Sequence, residues 1–333
     1  MDSRERIRAI IAGQEADRCG FWLGNPYHET WPIYHRYFGT TDEESLRVRL
    51  RDDFRWIPAS TYRHPAGRGM FDIPNKSAHG TPGPFAECDD PAAVDDLYEW
   101  PNPDYLDFGP VLEALQQAGP YYRASGFWAP FYHHVMDLFG MEKYMMNMYL
   151  NPELVQRVTD RVCSFYHQAN ERFFDVAGDL VDGYFFGNDF GTQRDLICGP
   201  AQFDQFVMPW FLRFTEQAHA RGYQVILHSC GSVAKVIDRL ITAGVECLHP
   251  LQALATDMNA ENLAARFGGR ISFLGGVDTQ ELLVHGTPAQ VRDDVRRLKR
   301  VLGPRLIVSP SHEALLPNVP PENVLAMAEA ATE

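Results

Sequence analysis

"YQVILHSCGSVAKVIDRLITAGVECLHPLQ", residues 223–252, sets two short apolar runs on either side of a helix-like segment. YQVILHSC (223–230) and VECLHPLQ (245–252) have strand length, and SVAKVIDRLITAG (232–244) reads as a helix closing on glycine. Strand, helix, strand with short joints is the βαβ unit of a parallel sheet.

The alternation continues on both sides. FWLG (21–24), DFRWIPA (53–59), YYRASGFW (121–128) and DGYFFGND (182–189) precede it, while RISFLGGVD (270–278) and RLIVSPSH (305–312) follow, which makes eight predicted strands. Helical patterns lie between them. The longest spans 151–178, with Asn151 as N-cap, Pro152 at the first helical position and Gly178 at its end. Others cover 200–222, 258–269 and 287–303. Eight strands with helical crossovers predict an α/β fold, a (β/α)8 TIM-like barrel with an N-terminal helical and loop insertion, formed as one domain over residues 1–333. A doubly wound sheet is the rival, but no GxGxxG follows an early strand. Residues 65–91 are rich in proline and glycine without periodicity and read as an inserted loop, either a lid or a surface excursion.

Composition narrows the partners. The 44 acidic residues exceed the 30 lysines and arginines, for a formal charge of -14, which argues against nucleic acid or a membrane surface as partner. No run of ~18 apolar residues suggests a span. Six scattered cysteines without a CxxC suit a reducing compartment, so a cytoplasmic location is expected.

In a barrel of this kind functional groups project from the C-terminal strand ends. Those ends carry Asn188 and Asp189, His228 and Cys230, His249 and Gln252, Asp278, and His312. A strand alternates its side chains with period two, so His228 and Cys230 share a side and can reach one zinc ion. A catalytic zinc site wants a third protein ligand, and His312, Cys247 and His249 are all candidates. Two other readings remain open: a buried thiol beside a core histidine, and a cysteine nucleophile activated by His228.

Residues 178–328 resemble the uroporphyrinogen decarboxylase superfamily through GNDFGTQ, HSCGSV, GVECLHPLQ, FGGRISFLGGVDTQ and SPSHEALLPNVPPENV, and more specifically its methyltransferase-like members. The N-terminal half resembles it more loosely through ADRCGFWLGNPYHET. The RQAGRY-type motif with which true decarboxylases grip carboxylates is missing. The resemblance implies zinc held by the HxC pair His228 and Cys230, with His312 where the branch carries a later cysteine. It also implies methylcobalamin, or another corrinoid, on a partner protein, with a small-molecule methyl donor or acceptor that is demethylated or methylated. Homodimers occur in the superfamily, so a homodimer is within its scope.

By the same resemblance Asp189 and Asp278 fall where cleft residues act on the substrate, although both could equally be helix caps. Gln193, His249 and Gln252, with Trp22, Asn25 and His28 on the first loop, are the expected substrate-facing residues. The expected function is a zinc-dependent, corrinoid-linked methyltransferase. The alternatives are a metal-free decarboxylase or lyase, with Arg123 or Arg194 holding a carboxylate, and a binding protein without chemistry.

Overall fold

The barrel is built from β1 (Gly20–Phe21), β2 (Phe54–Pro58), β3 (Tyr122–Gly126), β4 (Gly183–Gly187), β5 (Gln224–His228), β6 (Cys247–His249), β7 (Ser272–Val277) and β8 (Leu306–Pro310) in a computed structural model that describes residues 1–73 and 80–333. All eight runs named above form strands, and all pair in parallel in the order β1-β8-β7-β6-β5-β4-β3-β2. The fold is a (β/α)8 barrel. Each observed strand is shorter than its apolar run because the run's last residues leave the ladder for the loops at the mouth.

The ring is nearly closed between β1 and β2, where side chains do part of the work of a ladder. Phe21 N–H donates to Asp53 Oδ2 at 3.1 Å, Leu23 N–H donates to Asp52 Oδ2 at 3.2 Å, and Asp53 N–H donates to Phe21 O at 2.9 Å. Both carboxylates are buried and sit just before β2.

Inside, Phe54, Tyr122, Phe185, Ile226, Cys247, Leu274 and Ile307 form one packed core with Trp22. The helix Ser3–Ile11 adds Ile7, Ile10 and Ile11 to that core; Asp2 caps it, and Glu5 completes the capping box. Cys247 belongs to this layer. Its register partner on β5 is Ile226, whereas His249 pairs with His228, so the thiol lies below the histidines.

Two helix expectations change. Residues 200–222 form two helices, Pro200–Phe206 and Met208–His219, divided at Val207. Pro209 cannot donate to residue 205 and its ring crowds that turn, so the pattern breaks there. The helix expected over 232–244 runs only over Ile237–Thr242, and Gly231 just before that segment has a φ of +83° and starts a turn. A Cβ at Gly231 would stand 2.2 Å from Gly191 O, so the close approach of two loops excludes any side chain.

Within the proposed insertion, residues 74–79 lie outside the described residues. The described remainder has neither α-helix nor strand, with only Pro91 opening the 3-10 helix Pro91–Ala93, but it is anchored. Phe71 packs on Phe165, Tyr166 and His134, and Phe85 on Phe139 and Trp100. Among the described residues no helix is long and apolar enough to cross a membrane.

Candidate active site

β5 ends on His228, and the chain stays extended long enough to return Cys230 to the same side. Cys230 Sγ lies 3.3 Å from His228 Nε2. From the neighbouring end of β4 comes Asp189, whose Oδ1 is 3.2 Å from the same nitrogen and accepts the Cys230 N–H at 2.8 Å. Asn188, one residue earlier, braces this corner by donating to Ala129 O and accepting the Tyr132 N–H.

The other side of the imidazole faces inward. His228 Nδ1 is 2.9 Å from His249 Nδ1 and 3.6 Å from Glu313 Oε2. His249 is fully buried between Trp22 and Phe185, and among the described residues neither its Nε2 nor Glu313 Oε2 has a hydrogen-bond partner. Glu313 is held from the first loop. Asn25 N–H donates to Glu313 O at 2.7 Å, and a Cβ at Gly24, whose φ is +79°, would meet that oxygen at 2.6 Å.

Electrostatics assigns the protons in the metal-free cluster. Burial opposes charge on His228, but hydrogen bonds to Asp189 and Cys230 and the charge of Glu313 outweigh it, so its pKa rises well above the ordinary value. Burial, then the charges of His228 and His312, drives His249 well below it. His228 is therefore the imidazolium, donating from Nδ1 to a neutral His249. Burial would raise Asp189, yet the His228 hydrogen bond holds it well below the usual carboxylate range. Cys230 is pushed up by burial, against the pull of His228, and keeps its proton until a metal or base takes it.

Two donor groups thus share one imidazole: Asp189, His228 and Cys230, and His228, His249 and Glu313. Ligands at bond lengths of about 2.0–2.3 Å around tetrahedral zinc stand roughly 3.3–3.6 Å apart. The first group, with 3.2 and 3.3 Å from Nε2, is close to that, while the 2.9 Å histidine contact of the second is an ordinary hydrogen bond. The first also opens to the mouth, since the Asp189 side chain is 40% exposed and His249 is 0% exposed. The residues present fit zinc at the first group, with His249 and Glu313 behind the ligand histidine.

The other expected site residues fall into three places. His312 joins neither donor group: its Nδ1 accepts the Ala314 N–H at 3.1 Å and stands 3.8 Å from Glu313 Oε2, while the ring faces a cavity beside the cluster. Gln252 and Asp278 line the same cavity. Gln252 Oε1 also accepts the Gly231 N–H and the Gln193 Nε2–H, so the two glutamines brace the turn after Cys230. Asp278 accepts three N–H groups, from Gln280, Glu281 and Leu282, and so braces the turn ahead of the helix Leu282–His285 as well as lining the cavity. Trp22 is core beneath His249, and Asn25 works through its backbone on Glu313. His28 is 73% exposed beside Glu29, away from the cluster. Cys247 stays in the core, where burial raises its pKa.

Two residues were not foreseen. Glu313 follows His312 in SPSHE, and reading the last strand one residue further would have found it. His133, whose Nε2 accepts the Asp189 N–H at 3.1 Å, lies in an apolar helix with no strand-end signal.

Residues 91–333, more than two thirds of the chain, match the model of the uroporphyrinogen decarboxylase (URO-D) family. The chain belongs to this family. Among solved structures, a methyltransferase from Methanosarcina mazei superposes on this URO-D family member with a TM-score of 0.68 at 17% identity, over 99% of this chain and 98% of that one. At that identity the likeness shows the barrel and its chain path. No curated protein sequence matches the chain.

Proposed function

We propose that this URO-D family member is a methyltransferase that holds zinc through His228, Cys230 and Asp189 and exchanges a methyl group between a small molecule and a corrinoid on a partner protein. The observation that carries the reading is the meeting of a thiol, an imidazole and a carboxylate within 3.3 Å of one nitrogen at the barrel mouth. Nitrogen, sulfur and oxygen together suit a borderline-soft ion. The family and the M. mazei neighbour support methyl transfer, and the corrinoid partner rests on the resemblance alone.

When bound, zinc would supply Lewis acidity, keeping a thiol as thiolate near neutral pH or polarising an ether oxygen. The chain's own residues do the rest. His249 and Glu313 orient His228 from behind, the Cys230 N–H and His133 hold Asp189, and Gln252 fixes the turn that carries Cys230. Trp128, 5.0 Å from the His228 ring, shields one side of the cluster from water. The decarboxylase alternative asks for cations at the mouth. Of its two arginines, Arg123 lies at the opposite end of the barrel, beside Asp182 and bonded to Asp179 O, and Arg194 is exposed on the loop after β4 outside the lining of the cavity beside the cluster.

The test is elemental analysis of protein purified without a histidine tag. About one zinc per chain is expected in wild type and in His312→Ala, and none in Cys230→Ala. Wild type that stays zinc-free after incubation with the metal would overturn the reading.

A further inference from the structure

Beside the cluster, between the loops that follow β6, β7 and β8, lies a cavity of ≈ 350 Å³. Its size is at the lower end of small-molecule sites, enough for a ligand of roughly ten to fifteen heavy atoms. Val284 and Val319 give it an apolar wall, and the exposed Leu254 and Leu316 line it toward solvent. Polar groups gather where it meets the cluster. Gln252 is there, bonded to the turn after Cys230, and His312 is 3.8 Å from Glu313. Because His312 Nδ1 accepts a backbone N–H, the neutral ring carries its hydrogen on Nε2, which has no hydrogen bond among the described residues and can donate to a ligand oxygen.

The charge of the lining is the decisive feature. None of the described lining residues is lysine or arginine, and the imidazole of His312 already stands 3.8 Å from Glu313, so an anion entering would lose water, gain no uncommitted cation, and lie near Asp278 and Glu313. A cation would need an uncommitted carboxylate. Asp278 is the only carboxylate among the described lining residues, and three N–H donors at 3.0 Å already offset its charge, while Glu313 behind the wall faces His228 and His312.

We infer that this cavity binds an uncharged small molecule with an apolar body and a hydrogen-bond acceptor, the class to which neutral methyl ethers belong, and that it turns away carboxylates and ammonium ions. The inference rests on the methyltransferase reading for the identity of the cavity as the substrate's place, and names the substrate class that reading leaves open. It differs from the carboxylate recognition for which true decarboxylases of the family are built.

Three probes differing in one group test it: 1,2-dimethoxybenzene, 3,4-dimethoxybenzoate and 3,4-dimethoxybenzylamine, titrated by calorimetry into wild type and into Cys230→Ala. The uncharged compound is expected to bind at least ~10-fold more tightly than either ion in both proteins. Gln280→Arg, which puts a cation on the exposed wall, is expected to narrow the gap to the benzoate at least ~3-fold. Equal or tighter binding of either ion would overturn the inference. So would a preference that Gln280→Arg leaves unmoved, or no binding of any probe. Zinc content is measured on the same samples. A zinc-free wild type that still prefers the uncharged probe separates failure of the metal reading from failure of this one.

Discussion

The two ends of this barrel partner their acidic residues in opposite ways. At the N-terminal end Asp53 receives Arg6 and Arg18 at 2.8 Å, Asp182 receives Arg4 at 2.6 Å and Arg8 at 2.9 Å, and Asp52 receives Arg47 at 2.7 Å. At the C-terminal end Asp189 and Glu313 have no arginine or lysine partner among the described residues, and meet His228, His249 and Cys230 instead. Guanidinium keeps its proton at any ordinary pH, so the first arrangement is permanent. Imidazole and thiol can exchange a proton for a metal ion, so the second can do chemistry. The same residue type serves as mortar at one end and as a reagent at the other, according to the partner the fold supplies.

The largest effect should come from breaking the permanent end. Asp53→Asn leaves Arg6 and Arg18 buried or half-buried without their shared counter-charge, and a loss of about 3–5 kcal/mol in unfolding free energy is expected by urea denaturation. A loss below about 1 kcal/mol would show that the arginines re-pair, and the contrast between the ends would weaken.

A smaller effect should follow at the exchangeable end when its second layer is cut. His249→Gln removes the ring that orients His228 Nδ1, and zinc affinity in chelator competition should fall about 10–100-fold with the fold intact. Unchanged affinity would mean that His228 is oriented by Glu313 alone.

The smallest expected effect sharpens the comparison most. Glu313→Gln keeps the shape of a side chain whose Oε2 has no hydrogen-bond partner among the described residues, so metal-free stability should move by less than about 1 kcal/mol in either direction. A loss as large as that of Asp53→Asn would make both ends structural.

Much of this was legible in the chain because strand burial leaves a coarse mark. Each run such as YQVILHSC is largely apolar because a barrel strand is covered on both faces, and several turn polar where the strand reaches the mouth. Period-two alternation was enough to put His228 and Cys230 together, and the structure has them 3.3 Å apart. The break at Val207 was missed, because the apolar period runs across it, although Pro209 in the MPW of the 200–222 segment marks its place. Asp189 could be placed at a strand end but not joined to His228, since β4 and β5 are related by a sheet register that no local pattern encodes. His312 and Glu313 show the limit most clearly. They are adjacent and both are possible ligands, yet with Glu313 O held by the Asn25 N–H and packed close to Gly24, the Glu313 side chain reaches toward His228 while His312 lines the cavity wall.

The pattern of apolar runs and glycine-closed helices dictates eight parallel strands around a filled core, because local propensity and burial repeat along the chain with a period that can be read. Which donors meet, which nitrogen of His228 faces solvent, and which charges are cancelled depend on the packing of loops distant in sequence. Those contacts are fixed to a few tenths of an ångström by backbone approaches such as Gly231 on Gly191 and Gly24 on Glu313. A one-dimensional pattern does not carry distances of that kind, because they arise only when the ring closes.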